Sequence, residues 1–193
     1  MNKNRLEAFS DGVIAIIITI MVLEMKVPHG TDLAALTKIL PIFLSYLVSF
    51  IYVGIYWNNH HHLLQAVKKV NGPILWANLH LLFWLSLIPF VSGWLGENHV
   101  ASLPAALYGA VLIGAGLAYF ILTCTLIAHH GRDSALAIAI KSGVKEKLSI
   151  VIYAVSIPLA FVHPWIACAL YTSVAAMWLV PDRRIEKVLT LPS

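Results

Sequence analysis

Six long apolar stretches run through this chain of 193 residues, and they decide what it can fold into. A helix needs about 20 mostly apolar residues to cross a bilayer. Hydrophobic residues make up 60% of the chain and charged residues 11%, which is more apolar surface than one soluble core of this size could bury. Pro158 and Pro164 leave the boundaries of the last two stretches open. We predict an all-α integral membrane protein with one domain of six transmembrane helices, at about residues 6–27, 39–61, 74–94, 103–128, 148–162 and 165–180.

The distribution of positive charge predicts the orientation of these helices. The chain has 13 lysines and arginines, and with the N-terminus inside only Lys26 and Lys38 fall on the outer side. Because inner loops of membrane proteins are enriched in basic residues, we expect a multi-pass protein of the cell membrane with both termini cytoplasmic. The net charge of +4 is then explained by the orientation in the membrane and not by a basic surface for nucleic acid, so we expect no nucleic-acid partner. The basic residues on the inner side are Lys3, Arg5, Lys68, Lys69, Arg132, Lys141, Lys145, Lys147, Arg183, Arg184 and Lys187.

Polar side chains cluster at the inner ends of the first three predicted spans. The first span opens with RLEAFSD, the second ends with WNNHHH, and the third carries an asparagine and a histidine in its first turns. An unsatisfied polar group in a bilayer costs several kcal/mol, so clusters at one depth are expected to satisfy each other. The alternative is that the histidines form a polar helix end in the headgroup region, with the tryptophan as an interfacial anchor. The predicted network comprises Arg5, Ser10, Asp11, Trp57, His60 or His61, and Asn78.

The same histidines raise the question of a metal site. His61 could join His62 and His80 around a zinc ion, but neighbouring residues of a helix point about 100° apart and cannot all face one ion. The spans contain no HExxH sequence and no nearby cysteine, and the chain shows no nucleophile, carboxylate pair or phosphate loop. We therefore expect no metal, no cofactor and no enzymatic activity.

The first predicted helix has a second face that lacks strongly polar groups. At 100° per residue, Gly12, Ile16, Thr19 and Leu23 form a narrow stripe with Ile20 beside it. The serine and aspartate of the FSD sequence point away from this stripe. From spacing alone, lipid contact or core packing is the favoured interpretation of these residues, so spacing does not assign them a function.

The motifs of the first ninety residues resemble one family. Arg5, Phe9, Ser10 and Asp11 form an RxxxFSD pattern, which is followed by an apolar run that ends in Leu-Glu at residues 23–24. The WNNHHHLL segment and SLIPF at residues 86–90 are also similar to that family. Together these motifs resemble prokaryotic members of the endosomal and lysosomal potassium channels called transmembrane protein 175.

This resemblance implies a homotetramer around a central pore that is lined by the first helix of each chain. It implies a constriction made by Ile16, with Ile20 and Leu23 near it, in place of a carbonyl selectivity filter. Thr19 matches a pore-lining hydroxyl position that is linked to potassium preference. The RxxxFSD residues would hold the first helix to the second and third.

The expected function is thus a potassium-selective, leak-like cation channel, with K⁺ as the permeant ion. Rings of Ile16 and Leu23 would close the pore by excluding water, and Thr19 hydroxyls would replace part of the hydration shell of the ion. Glu24 would form a ring of negative charge at the outer mouth, or would be an ordinary surface carboxylate near a helix end. The alternative is a proton-conducting channel or a secondary transporter that uses Asp11 and the histidine cluster.

Overall fold

The fold is entirely helical in the part of the chain that the structure describes. The computed structural model describes residues 3–67, 69–131 and 144–179. Among these residues, four helical stretches are long and apolar enough to cross a membrane: Lys3–Leu23, Leu40–Gln65, Gly72–Glu97 and Ser102–His130. These stretches support the predicted all-α membrane protein, whereas the count of six crossings stays a prediction. The helices are α1 Lys3–Leu23, α2 Leu33–Lys38, α3 Leu40–Gln65, α4 Gly72–Ser86, α5 Ile88–Glu97, α6 Ser102–His130, α7 Val144–Val162 and α8 Pro164–Leu179.

The long helices run up and down, so their termini collect at two ends of the bundle. At one end, Lys3 Nζ donates to the Leu64 carbonyl over 3.1 Å and Lys145 Nζ donates to the Met177 carbonyl over 3.4 Å. At the other end, Lys26 Nζ donates to Glu97 Oε1. We call these the inner end and the outer end, after the predicted orientation. Of the basic residues predicted to lie inside, Lys68, Arg132, Lys141, Arg183, Arg184 and Lys187 fall outside the described residues.

Proline interrupts the third apolar stretch. Pro89 lies in the first turn of α5, and α4 stops at Ser86 with Leu87 between the two helices. Because proline has no N–H, it cannot bond to the carbonyl four residues earlier. Pro158 is tolerated inside α7, whereas α7 ends at Val162, two residues before Pro164. The boundary between the last two helices is therefore set by Pro164 and not by Pro158.

Close packing around α6 holds the other helices together. A Cβ atom at Gly114 would overlap the ring of Trp84 on α4, and one at Gly109 would overlap the hydroxyl of Tyr171 on α8. These two glycines let α4 and α8 approach the α6 backbone. They are structural positions, because a larger side chain at either would force the helices apart.

The first helix lies at the edge of this bundle. It contacts α3, α4 and α5. Its buried residues recur at intervals of three and four, the spacing of one helix face. They are Leu6, Ser10, Ile14, Ile17 and Met21.

Candidate pore helix and its polar anchor

A buried chain of hydrogen bonds joins α1 to α4 and α3. Ser10 Oγ donates to the Leu6 carbonyl over 2.8 Å and accepts from Asn78 Nδ2 over 2.9 Å. Asn78 Oδ1 lies 2.7 Å from His60 Nε2. Because an amide oxygen can only accept, this nitrogen of His60 carries the proton. Ser10 and Asn78 are 0% exposed and His60 is 2% exposed, so the three side chains satisfy one another without solvent.

Asp11 makes a separate contact at the surface of the same helices. Trp57 Nε1 donates to Asp11 Oδ1 over 3.0 Å. The Trp57 ring stacks on His61, with centroids 6.1 Å apart, and His61 Nε2 lies 2.8 Å from Gln65 Nε2. The predicted network is therefore two contacts, one buried through Ser10 and one exposed through Asp11.

The other two residues of the motif take no part in either contact. Arg5 is exposed and makes no hydrogen bond or ion pair with another residue in the described ranges. Phe9 is 53% exposed. The RxxxFSD motif thus has an anchored half, Ser10 and Asp11, and an uncovered half, Arg5 and Phe9.

The predicted stripe lies on the side of α1 that no described helix covers. Ile16 is 59% exposed and Leu23 is 74% exposed, and Ile20 beside them is 42% exposed. Apart from the adjoining turns of α1 itself, no atom of the described residues lies within 4 Å of the place where a Cβ of Gly12 would be. Thr19 is exposed, and its hydroxyl donates to the Ala15 carbonyl over 2.9 Å. The proton of this hydroxyl is thereby used within the helix, and its lone pairs remain available to an outside group.

A groove of about 570 Å³ runs beside this stripe, between α1 and α5. At its outer end, Lys26 Nζ lies 2.9 Å from Glu97 Oε1. The hydrogen bond to Glu97 raises the pKa of Lys26, and the negative charge of Glu97 raises it further by a smaller amount. The sequence did not predict this pair, although a lysine at the outer end of the first predicted span and a glutamate just after the third were a usable signal. The residues that line the groove are Val13, Ile16, Ile17, Ile20, Glu24, Ser86, Pro89, Phe90, Gly93, Trp94 and Glu97.

The helices and the absence of a metal-binding cluster in the described residues define the class of protein. No group of three or more histidine, cysteine or acidic side chains that could hold a metal ion occurs among residues 3–67, 69–131 and 144–179. Four apolar stretches of membrane-spanning length and an all-helical fold define the class: an α-helical, multi-pass membrane protein.

Comparison with known proteins identifies the family within this class. The family model of the endosomal/lysosomal potassium channel TMEM175 matches residues 5–89. The chain is 60% identical over 189 residues to a potassium channel of Chryseobacterium sp., covering 98% of both chains. The chain therefore belongs to the TMEM175 family, which is a family of ion channels and not of enzymes.

More distant relatives are similar in structure or in sequence. The crystal structure of a lysosomal potassium-selective channel TMEM175 homolog from Chamaesiphon minutus matches with a TM-score of 0.80 at 26% identity, over 93% of this chain and 97% of that one. The human endosomal/lysosomal proton channel TMEM175 is 41% identical over 105 residues, which is 48% of this chain and 20% of the human one. The likeness to the human protein thus concerns a fifth of its length.

Proposed function

We propose that this chain is the subunit of a potassium-selective, leak-like cation channel in which four copies surround a central pore lined by α1. The observation that carries the proposal is the uncovered stripe of α1, Gly12, Ile16, Thr19 and Leu23, opposite a face that is buried against three other helices. In the same membrane-spanning helix, the uncovered side also carries Arg5 and a threonine hydroxyl, which suit water better than lipid. A shared aqueous pore accounts for both the aliphatic and the polar members of this face.

Aliphatic rings would form the gate. The ring of four Ile16 side chains and the ring of four Leu23 side chains would lie about 10 Å apart along the pore axis, because the two positions are seven residues apart and each residue of a helix rises about 1.5 Å. The Ile20 side chains would lie between the two rings. Water is unstable in a narrow apolar constriction, so a small inward movement of the helices would dry the path and stop conduction. Outward movement would let water and ions return. The gate therefore needs no charged or carbonyl barrier.

Thr19 would supply selectivity between those two rings. An ion that passes an apolar constriction loses part of its hydration shell, and potassium holds that shell less tightly than sodium does. Since Thr19 Oγ1 gives its proton to the Ala15 carbonyl, the hydroxyl oxygen can accept a cation as a ligand. Four such oxygens would replace some of the lost water.

The remaining site residues would support the pore. Ser10 and Asp11 would tether α1 through Asn78, His60 and Trp57, with His61 stacked behind the tryptophan. Arg5 and Phe9 would lie toward the inner mouth. Glu24, which is exposed after the last residue of α1, would attract cations to the outer mouth. In the cell the protein would lie in the cell membrane with both termini cytoplasmic.

A proton-conducting channel is the second candidate, because the human relative is named a proton channel. Asp11 is exposed in the single chain and contacts Trp57, which stacks on His61, so a titratable pair lies close to the inner end of the proposed pore. Protons would then pass along water in the same path rather than by a separate route.

The experiment that tests the proposal is ion flux from lipid vesicles that contain the purified protein. Vesicles loaded with potassium should lose it at a rate proportional to the protein content, and sodium should leave more slowly. Absence of flux would contradict the channel, equal rates for the two ions would contradict the selectivity, and flux of protons alone would favour the second candidate.

A further inference from the structure

We infer that Lys26 and Glu97 form a clamp that holds the outer end of α1 against α5 and thereby sets the width of the constriction at Leu23. This inference rests on the proposed function, because it concerns the position of the pore helix. Neither residue touches the permeant ion in this account, so both are positioning residues.

The clamp consists of two contacts just beyond the last residue of α1. In the first contact, Lys26 Nζ lies 2.9 Å from Oε1 of Glu97, and Glu97 is the last residue of α5. The Glu24 side chain lies over Gly93, where an added Cβ would be 3.6 Å from Glu24 Oε2. At these distances the Glu24 side chain lies close to the α5 backbone, so the end of α1 rests on α5 at this point.

The α5 side of the clamp is a rigid base. The turn after Glu97 contains two non-glycine residues with positive φ, His99 at 50° and Val100 at 62°. A β-branched residue adopts this conformation only when its surroundings hold it there, and Val100 is 7% exposed with its N–H bonded to the Leu95 carbonyl over 3.0 Å. Asn98 Nδ2 also donates to the Trp94 carbonyl over 2.9 Å. Glu97 is thus presented by a tightly held turn.

The α1 side has little else to hold it. Met21 is the last buried residue of the helix, and Leu23 is 74% exposed. In the described part of the chain, the Lys26–Glu97 contact is the only side-chain hydrogen bond between residues 12–27 and another helix. The inner end of α1 is held by the buried hydrogen bonds of Ser10. The outer end has no such buried bond, so its position depends on the Lys26–Glu97 contact.

The placement of α5 gives the clamp a direction. Val13, Ile16, Ile17, Ile20 and Glu24 line the groove with α5, whereas Leu23 does not line it and is 74% exposed. The clamp consequently draws the outer end of α1 toward α5 and away from the axis that Leu23 would face. Without it the outer end leans toward the axis, and the apolar constriction is narrower and drier.

The flux test separates the clamp from a simple effect of surface charge. Lys26→Gln and Glu97→Gln should each lower potassium flux severalfold, because each breaks the same contact, and the exchange Lys26→Glu/Glu97→Lys should restore it. If charge at the mouth were all that mattered, removing the lysine would raise cation flux and removing the glutamate would lower it. Lys38→Gln is the matched control, since Lys38 is also exposed at the outer end but lies in α2.

A second readout does not depend on conduction. A spin label at Val27→Cys, which is 83% exposed in the native chain, reports the mobility of the α1 end in a Cys124→Ser/Cys168→Ser background. Label mobility should rise in both glutamine variants and return in the charge exchange. Unchanged mobility, or opposite effects of the two variants on flux, would overturn the clamp. Native protein that carries no flux while the label responds as expected would contradict the proposed channel and support the clamp contact.

Discussion

Replacing Asn78 with leucine should be the most damaging conservative change at the polar anchor. The amide of Asn78 is 0% exposed and joins Ser10 to His60. Leucine leaves the His60 Nε2–H buried without an acceptor, which costs about 1–3 kcal/mol. Ser10 keeps its bond to the Leu6 carbonyl and loses only the bond it accepts, at about 0.5–1.5 kcal/mol. The free energy of unfolding should therefore fall by about 1.5–4.5 kcal/mol.

The assay is reversible unfolding in mixed detergent micelles, with His60→Leu and the double variant measured beside Asn78→Leu. An orphaned donor dominates the loss, so removing it in the double variant should recover stability and make the two losses clearly less than additive. Asn78→Leu with native stability would refute the reasoning. So would losses that simply add.

Three further changes test other parts of the account. Asp11→Ala should lower the free energy of unfolding by less than about 1 kcal/mol, because its bond to Trp57 is exposed; a loss as large as that of Asn78→Leu would show that this exposed bond stabilises the protein as much as the buried ones. Ile16→Asn should raise potassium flux or relax selectivity by wetting the constriction, and unchanged flux in vesicles would remove Ile16 from the gate. Thr19→Val keeps the shape but removes the oxygen, so the ratio of potassium to sodium flux should fall, whereas an unaltered ratio would exclude the hydroxyl as a ligand.

The apolar pattern predicted an all-helical membrane protein, because each stretch must satisfy its own backbone in a bilayer. It could not predict the division of the third stretch, since Pro89 lies inside a run that reads as continuous. The last two helices are separated at His163, and Pro158 leaves α7 intact. Whether a proline ends a helix or is absorbed depends on tertiary packing, which spacing does not contain.

The sequence prediction placed the polar residues of the anchor in one network and did not assign its pairs. Chain direction alone brought the inner parts of α1, α3 and α4 together. The choice of Ser10 over Asp11 as the partner of Asn78 depends on the rotation of each helix about its own axis. Because 100° separates neighbouring residues, a small rotation exchanges which of them is buried, and packing alone decides it. The clamp at the outer end likewise depends on a turn whose backbone conformation the sequence did not reveal.

The most direct test of the central claim is a density map of the protein in lipid, at a resolution that identifies the helix nearest the symmetry axis. The account predicts four chains with α1 innermost and with Ile16, Thr19 and Leu23 facing a common axis. A map in which α1 lies at the periphery, with Leu23 in contact with acyl chains, would contradict it.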